Sequence, residues 1–314
     1  MKAPVSVSIL QSPRARLAAL VAGLSVLGAG AGLVAQVFHA TVDVVGFAVT
    51  VVDKRGNLVT DLGEAEFEVI EDGRPQAIKF FARGDDTGAT PELHVGLVFD
   101  TSGSMDEDIA LARTAAIKLI KALPEAADVT LVDFDNEVRV ARFSQEDFPR
   151  MVERIRSRKP DGETALYDAL GTYLHGAGAQ DGRKVVVVYS DGADNRSSLN
   201  YAEIVTLLKA SDVTMYTIGF LNHLGSYYQL ETRSRLQRLT EPTGGQAFAP
   251  GSLKDIEQAY DKVLADIKAQ YTLGYVSTNA GTDGRWRKVE IRVTRPGLKT
   301  RTRQGYFAPY RRQP

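Results

Sequence analysis

The chain has 314 residues, enough for one large domain or two modest ones, and carries 38 basic residues against 39 acidic ones, a net charge of −1. That balance gives no overall pull toward nucleic acid or an anionic membrane surface. There is no cysteine, which excludes disulfides, zinc-thiolate sites and cysteine nucleophiles and leaves any metal to oxygen ligands or to the four histidines.

Lys2, Arg14 and Arg16 precede a run from Leu17 to Ala35 in which every side chain is apolar or small, the pattern of an export signal. As a helix this run would span about 28 Å at ~1.5 Å per residue, against a hydrocarbon core of about 30 Å, so residues 1–35 read as a signal peptide or as an uncleaved N-terminal anchor. Ala29-Gly30-Ala31 offers small residues to a peptidase. In either case the remainder is exported, to a periplasmic or extracellular location, and an uncleaved anchor would be the chain's one hold on a membrane.

Residues 41–90 are strand-like, with VVGFAVTVVD followed by FEVIEDGRPQAIKFF, in which Glu71-Asp72-Gly73 makes a good hairpin turn. A polar stretch, RGDDTGATPE, ends this segment. Over residues 91–268 apolar runs (LHVGLVFD, DVTLVDF, KVVVVYS, VTMYTIGF) alternate with helical spacing (DIALARTAAIKLIKAL, ALYDALGTYLHGA, YAEIVTLLKAS, LKDIEQAYDKVLADIKAQ). Such alternation predicts an α/β domain, a doubly wound, mostly parallel sheet with helices on both faces. Residues 269–310 return to β, with Val289, Ile291 and Val293 alternating with Lys288, Glu290 and Arg292. Neither β segment is large enough to close a sandwich alone, so the two are expected to form one small β domain into which the α/β domain is inserted.

In an open α/β sheet the loops beyond the carboxyl ends of the strands converge on ligands. Three such loops gather oxygen here: Asp100-Thr101-Ser102-Gly103-Ser104, Gly162-Glu163-Thr164 and Ser190-Asp191-Gly192. This inventory suits a hard cation, Mg²⁺ or Mn²⁺, better than zinc. Hydroxyls are neutral, so a site built from Ser102, Ser104 and Thr164, with Asp100 and Asp191 close by, would leave the ion incompletely neutralised and open to a carboxylate from a partner.

DTSGS after an apolar strand, then DGETALYDAL, then VVVVYSDG resemble, in order and spacing, the von Willebrand factor A domain and its metal-ion-dependent adhesion site, over roughly 92–268 and with no motif position substituted. The resemblance implies that Ser102, Ser104 and Thr164 are hydroxyl ligands of Mg²⁺ or Mn²⁺, and that Asp100 and Asp191 act directly or through water. The flanking β segments more loosely resemble a group of exported bacterial proteins that carry this domain between such segments.

Other residues have simpler readings. Asp168 could orient a water or cap a loop, and Asp133, Asp135 and Asp194 read as solvated loop residues. The basic run of Arg285, Arg287, Lys288, Arg292, Arg295, Lys299, Arg301 and Arg303 reads as the wet face of a sheet. His39, His94, His175 and His223 show no metal spacing, none is expected near the three loops, and no hydrolase motif is present. The expected function is a non-enzymatic, divalent-cation-dependent adhesion or scaffold module that binds a protein through its acidic side chain. A metal-dependent phosphoester or ester hydrolase, and a structural subunit of an envelope assembly with a vestigial site, are the alternatives.

Overall fold

β1 (Val44–Val52) opens the part of the chain that the computed structural model describes, residues 44–84, 86 and 90–310; the expected signal segment 1–35 lies outside them. β2 (Phe67–Glu71) and β3 (Arg74–Gln76) form the expected hairpin, with Glu71 opposite Arg74. Asp72 (φ 46°) and Gly73 (φ 80°) supply the two left-handed residues that so tight a turn requires. β4 (Ile78–Ala82) then leads out of the β segment.

The next stretch holds β5 (Leu93–Asp100), α1 (Ile109–Lys121), β6 (Ala126–Phe134), β7 (Val138–Ser144), α2 (Phe148–Ser157), α3 (Leu166–Ala177), β8 (Arg183–Ser190), α4 (Tyr201–Ala210), β9 (Val213–Gly219), α5 (Ser226–Thr240), β10 (Ala247–Phe248) and α6 (Leu253–Ala269), the expected strands and helices together with four elements not foreseen, β7, α2, α5 and β10. The six strands form one sheet in the order β10-β9-β8-β5-β6-β7, parallel except for the antiparallel edge strand β7. All eight residues of β5 and of β8 are buried, because both faces of the sheet are covered. On one face Leu97, Phe99, Val187 and Tyr189 pack with α1, α2 and α6; on the other Val98, Val186 and Val188 pack with α3 and α4. Each large aliphatic side chain buried in this way contributes about 1.5–3 kcal/mol. α4 starts where it does because Asn200 accepts from the amides of Ala202 and Glu203 while Glu203 reaches back to the amide of Asn200.

The chain returns through β11 (Tyr271–Val276), β12 (Trp286–Val293), β13 (Lys299–Arg301) and β14 (Gly305–Phe307). These strands join the N-terminal ones in two antiparallel sheets, β13-β1-β11-β4 and β14-β12-β2-β3, which share a core of Phe47, Val49, Phe67, Val69, Leu273 and Ile291 among others. The α/β domain is thus inserted between two neighbouring strands of one sheet: β4, where the chain leaves, pairs with β11, where it comes back, and Ala82 lies opposite Thr272. On β12 Val289 and Ile291 point inward and Lys288, Glu290 and Arg292 outward.

Three members of the basic run depart from the expected wet face. Arg287 is buried and bonds Asp283 at 2.8 Å; Arg301 pairs with Asp266 of α6 at 2.7 Å; Arg303 donates to the Gly46 carbonyl at 2.6 Å and lies over the Phe47 ring. Arg301, and Arg303 through a further bond to the Ser211 carbonyl at 3.4 Å, tie the β sheets to the α/β domain. Among the described residues no helix is long and apolar enough to cross a membrane.

Candidate metal centre

β5 and β8 lie side by side at the centre of the sheet, and from them the chain winds outward in opposite directions, β6 and β7 on one side, β9 and β10 on the other. This switch point is where ligands bind in open α/β folds, since the loops that leave the two strands part there. Asp100 ends β5 and Ser190 ends β8, and Asp191 follows directly.

The first loop folds back on its own carboxylate. Asp100 Oδ1 accepts from the Ser102 amide at 2.9 Å and from the Ser102 hydroxyl at 2.6 Å, and the Ser102 and Ser104 hydroxyl oxygens stand 3.1 Å apart. Asp100 Oδ2 accepts from the Ser190 hydroxyl at 2.6 Å, which joins the first loop to the third. The second loop is laced to both: the Gly103 amide donates to Gly162 O at 3.0 Å, the Asp161 amide to Thr101 O at 3.0 Å, and the amides of Asn195 and Arg196 to Thr164 O at 3.1 Å. Gly162 takes a left-handed turn (φ 74°), and a Cβ there would lie 2.6 Å from the Asn136 side chain, whose oxygen holds the Glu163 amide.

Asp100, Ser102, Thr164 and Asp191 are all buried, while Ser104 is exposed and faces solvent at the rim. Asp100, Ser102 and Ser104 form one hydrogen-bonded chain. Asp191 meets Asp100 as a like charge, its own Oδ1 accepting from the Ala193 amide at 2.9 Å. Thr164 is joined to the third loop through its backbone, and among the described residues its hydroxyl makes no hydrogen bond. Burial, opposed by the bonds from Ser102 and Ser190 and reinforced by the charge of Asp191, pushes the Asp100 carboxyl up to about 7. No lysine or arginine pairs with either carboxylate among the described residues.

A divalent cation fits this donor set. It would neutralise two buried acids that no lysine or arginine among the described residues meets, and Ser102, Ser104, Thr164, Asp100 and Asp191 are the residues that would hold it. Two carboxylates are too few to make a site from acids and histidines alone, and no cluster of three or more such side chains suited to a metal occurs among the described residues.

Three residues stand differently from their sequence reading, and Asp168 takes the capping one of its two readings. His223, in the loop after β9, comes to the site although the spacing of histidines gives no hint of it: Nε2 lies 3.5 Å from Asp191 Oδ2 and Nδ1 3.3 Å from Asp108 Oδ2. Asp133 is a buried strand residue rather than a solvated one, caged by Arg139, Arg154 and Arg158 at 2.8, 2.6 and 2.9 Å. Asp194 accepts from the Tyr167 amide at the start of α3, and Asp168 accepts from the amides of Ser198 and Leu199, so both shape the loops around Thr164. Ser190, which fixes Asp100, lies in the quoted Ser-Asp-Gly triplet, but its role shows only when β5 and β8 are known to be neighbours.

No curated protein matches the sequence. Among solved structures, the PilB minor pilin from Streptococcus sanguinis is 17% identical with a TM-score of 0.46, the match covering 59% of this chain and 63% of that one. The vWF domain of the type V pili tip protein Mfa5 from Porphyromonas gingivalis is 13% identical with a TM-score of 0.48, over 57% of this chain and 95% of that one. A von Willebrand factor type A protein from Catenulispora acidiphila is 14% identical with a TM-score of 0.49, over 87% and 75%. This chain therefore spans less than two thirds of the length of the PilB pilin. The family model of the von Willebrand factor type A domain matches residues 94–262, just over half of the chain and the whole run from β5 into α6. With the three loops in the order and at the sheet edge that the motifs require, the chain belongs to the von Willebrand factor type A domain family.

Proposed function

We propose that the chain is an exported, divalent-cation-dependent adhesion or scaffold module that binds a protein partner through an acidic side chain, with Mg²⁺ or Mn²⁺ held by Ser102, Ser104, Thr164, Asp100 and Asp191. The observation that carries this reading is the pairing of Asp100 with Asp191 in a buried pocket lined by hydroxyls, where among the described residues neither acid meets a lysine or arginine and only His223 stands beside Asp191. Bound there, the cation supplies a positive point charge with an open coordination position for an incoming carboxylate. Ser102 and Ser190 hold Asp100 in place, and the exposed Ser104 keeps one edge of the pocket open to a partner.

Binding rather than catalysis is supported by the surroundings of the two serines. His223, the histidine beside the site, faces Asp108 and Asp191 with its two ring nitrogens, and no described contact turns either toward Ser102 or Ser104. A general base for a serine nucleophile needs that contact. Export rests on the basic and apolar pattern of residues 1–35.

Isothermal titration with Mg²⁺ tests the centre. The wild-type chain is expected to give a saturable heat that Asp191→Ala and Thr164→Ala lose while both remain folded by circular dichroism. Equal heats from all three proteins would end the proposal.

A further inference from the structure

Large apolar side chains left open to solvent are few among the described residues, and three of them, Tyr227 (75% exposed), Tyr228 (62%) and Leu230 (71%), stand together at the start of α5. The two rings meet edge to face with centroids 5.5 Å apart. Leu230 also walls a groove of about 500 Å³ together with Leu221, Asn222, Arg233, Ala249 and Pro250. This groove and the metal centre share a boundary. Leu221 and Asn222 run directly into His223, which lies 3.5 Å from Asp191, and the Gly192 turn packs so closely on α5 that a Cβ there would meet Thr232 at 2.8 Å.

The first and second loops carry a different chemistry. Asp106 and Glu107, just after Ser104, and Asp161 and Glu163, just before Thr164, are exposed. Among the described residues only Glu163 of these has a basic neighbour, Arg196 at 3.9 Å. The rim of the centre is thus apolar on the α5 side and acidic on the sides of the first two loops. A polyacidic ligand would be repelled by that second stretch, and a ligand with a basic group there would be steered and held.

We propose, resting on the metal-centre reading above, that the partner is a protein segment whose acidic residue is flanked on one side by a large apolar residue and on the other by a basic one. The apolar residue is taken by Tyr227, Tyr228 and the Leu230 groove, and the basic residue faces Asp106, Glu107 and Glu163. Tyrosines presented in this way are the side chains that dominate protein interfaces, since they bury much area at little entropic cost. The acid supplies the contact common to all ligands, and its two neighbours supply the choice among them.

The test is selection from a displayed random peptide library with one fixed central aspartate on the immobilised full chain, in Mg²⁺ and in EDTA. The expected result is Mg²⁺-dependent enrichment of peptides with Phe, Trp, Tyr or Leu on one side of the aspartate and Lys or Arg on the other. The combined variant Tyr227→Ser, Tyr228→Ser, Leu230→Ser should bind the enriched peptide at least roughly tenfold more weakly while keeping its melting temperature and its Mg²⁺ heat. Glu107→Lys should erase the preference for the basic neighbour.

Enriched peptides with no apolar preference, or a triple variant that binds them as well as wild type, overturn the proposal and leave the metal centre standing. So does the absence of any enrichment while the Mg²⁺ heat persists, as does a concentration-dependent dimer of the chain that the triple variant dissolves, which would give the patch to a second copy. Equal enrichment in EDTA, or no Mg²⁺ heat at all, overturns the metal-centre reading beneath it.

Discussion

Asp100 and Asp133 lie on neighbouring strands of one sheet, a single register step apart, since Phe99 pairs with Asp133 and Asp100 with Phe134. Both are buried. Asp133 is met by three arginines within 3 Å, whereas Asp100 is met by hydroxyls and one amide and faces a second acid. A fold that can place guanidinium groups around one carboxylate and leaves the adjacent one without any has divided its charges by purpose. One is settled within the chain, and the other is the one that the proposed cation would neutralise. Glu71, inside the β sheets, makes a third case: it is buried and bonded by the hydroxyls of Tyr275, Ser277 and Tyr306 at 2.7, 2.6 and 3.0 Å, but among the described residues no second acid joins it. Hydroxyl partners alone therefore do not mark a cation site. On the reading proposed above, the paired acid does.

The largest effect should come from breaking the caged member. Asp133→Asn leaves three arginines without their shared charge and is expected to cost about 2–4 kcal/mol in denaturant unfolding, reduced from the fully buried case because the arginines are partly exposed. Asp100→Asn in EDTA at pH 8 should cost less than about 1 kcal/mol or stabilise, as it removes an unneutralised buried charge. Equal losses from the two would erase the distinction.

Proton linkage sharpens it next. The folded Asp100 carboxyl is raised to about 7 above its ordinary 3.8, so between those values the folded state holds a proton that the unfolded state has released. The stability tied to this group is complete below 3.8, falls by up to about 1.4 kcal/mol per pH unit as pH rises toward 7, and levels off above. In EDTA the unfolding free energy of wild type minus that of Asp100→Asn should fall by about 2 kcal/mol between pH 5 and 7, and saturating Mg²⁺ should abolish the fall. A flat difference would contradict the unneutralised pair.

A smaller change tests the open edge. Ser104 is exposed, so Ser104→Ala should leave the metal-free melting temperature within a degree or two. It should weaken Mg²⁺ about tenfold by calorimetry, the equivalent of ~1.4 kcal/mol. The smallest effect belongs to the third acid, for Glu71→Gln should leave the Mg²⁺ affinity within about a factor of two.

The three loops were legible because their chemistry is local: an apolar run that ends in Asp100, or in Ser190 and Asp191, announces a buried strand with polar cargo at its end. The insertion was legible from the change of period near residues 91 and 269. What was hidden depended on partners far away in sequence. Asp133 reads as a loop residue until Arg154 and Arg158 are folded over it, and His223 has no motif because its neighbours are Asp108 and Asp191. Two helices were also hidden. α2 is short and heavily charged, and α5 turns Tyr227 and Leu230 out of phase with the buried Thr232, Leu236 and Leu239, while Tyr228, one turn before Thr232 on the same face, is exposed at the helix start. A helix whose apolar residues do not all seek the core gives a poor periodic signal. The feature that blurs α5 is the same one that gives the rim its apolar side.

Because Ala82 and Thr272 lie opposite each other on adjoining strands, the inserted half hangs from the β sheets by both of its chain ends at one place. Tension applied at the tip would enter the support through two threads abreast, each already laced to its neighbour. An attachment of that kind resists being spun about its own axis, and on the proposed function it would pass on a grip made at the sheet edge with its orientation kept.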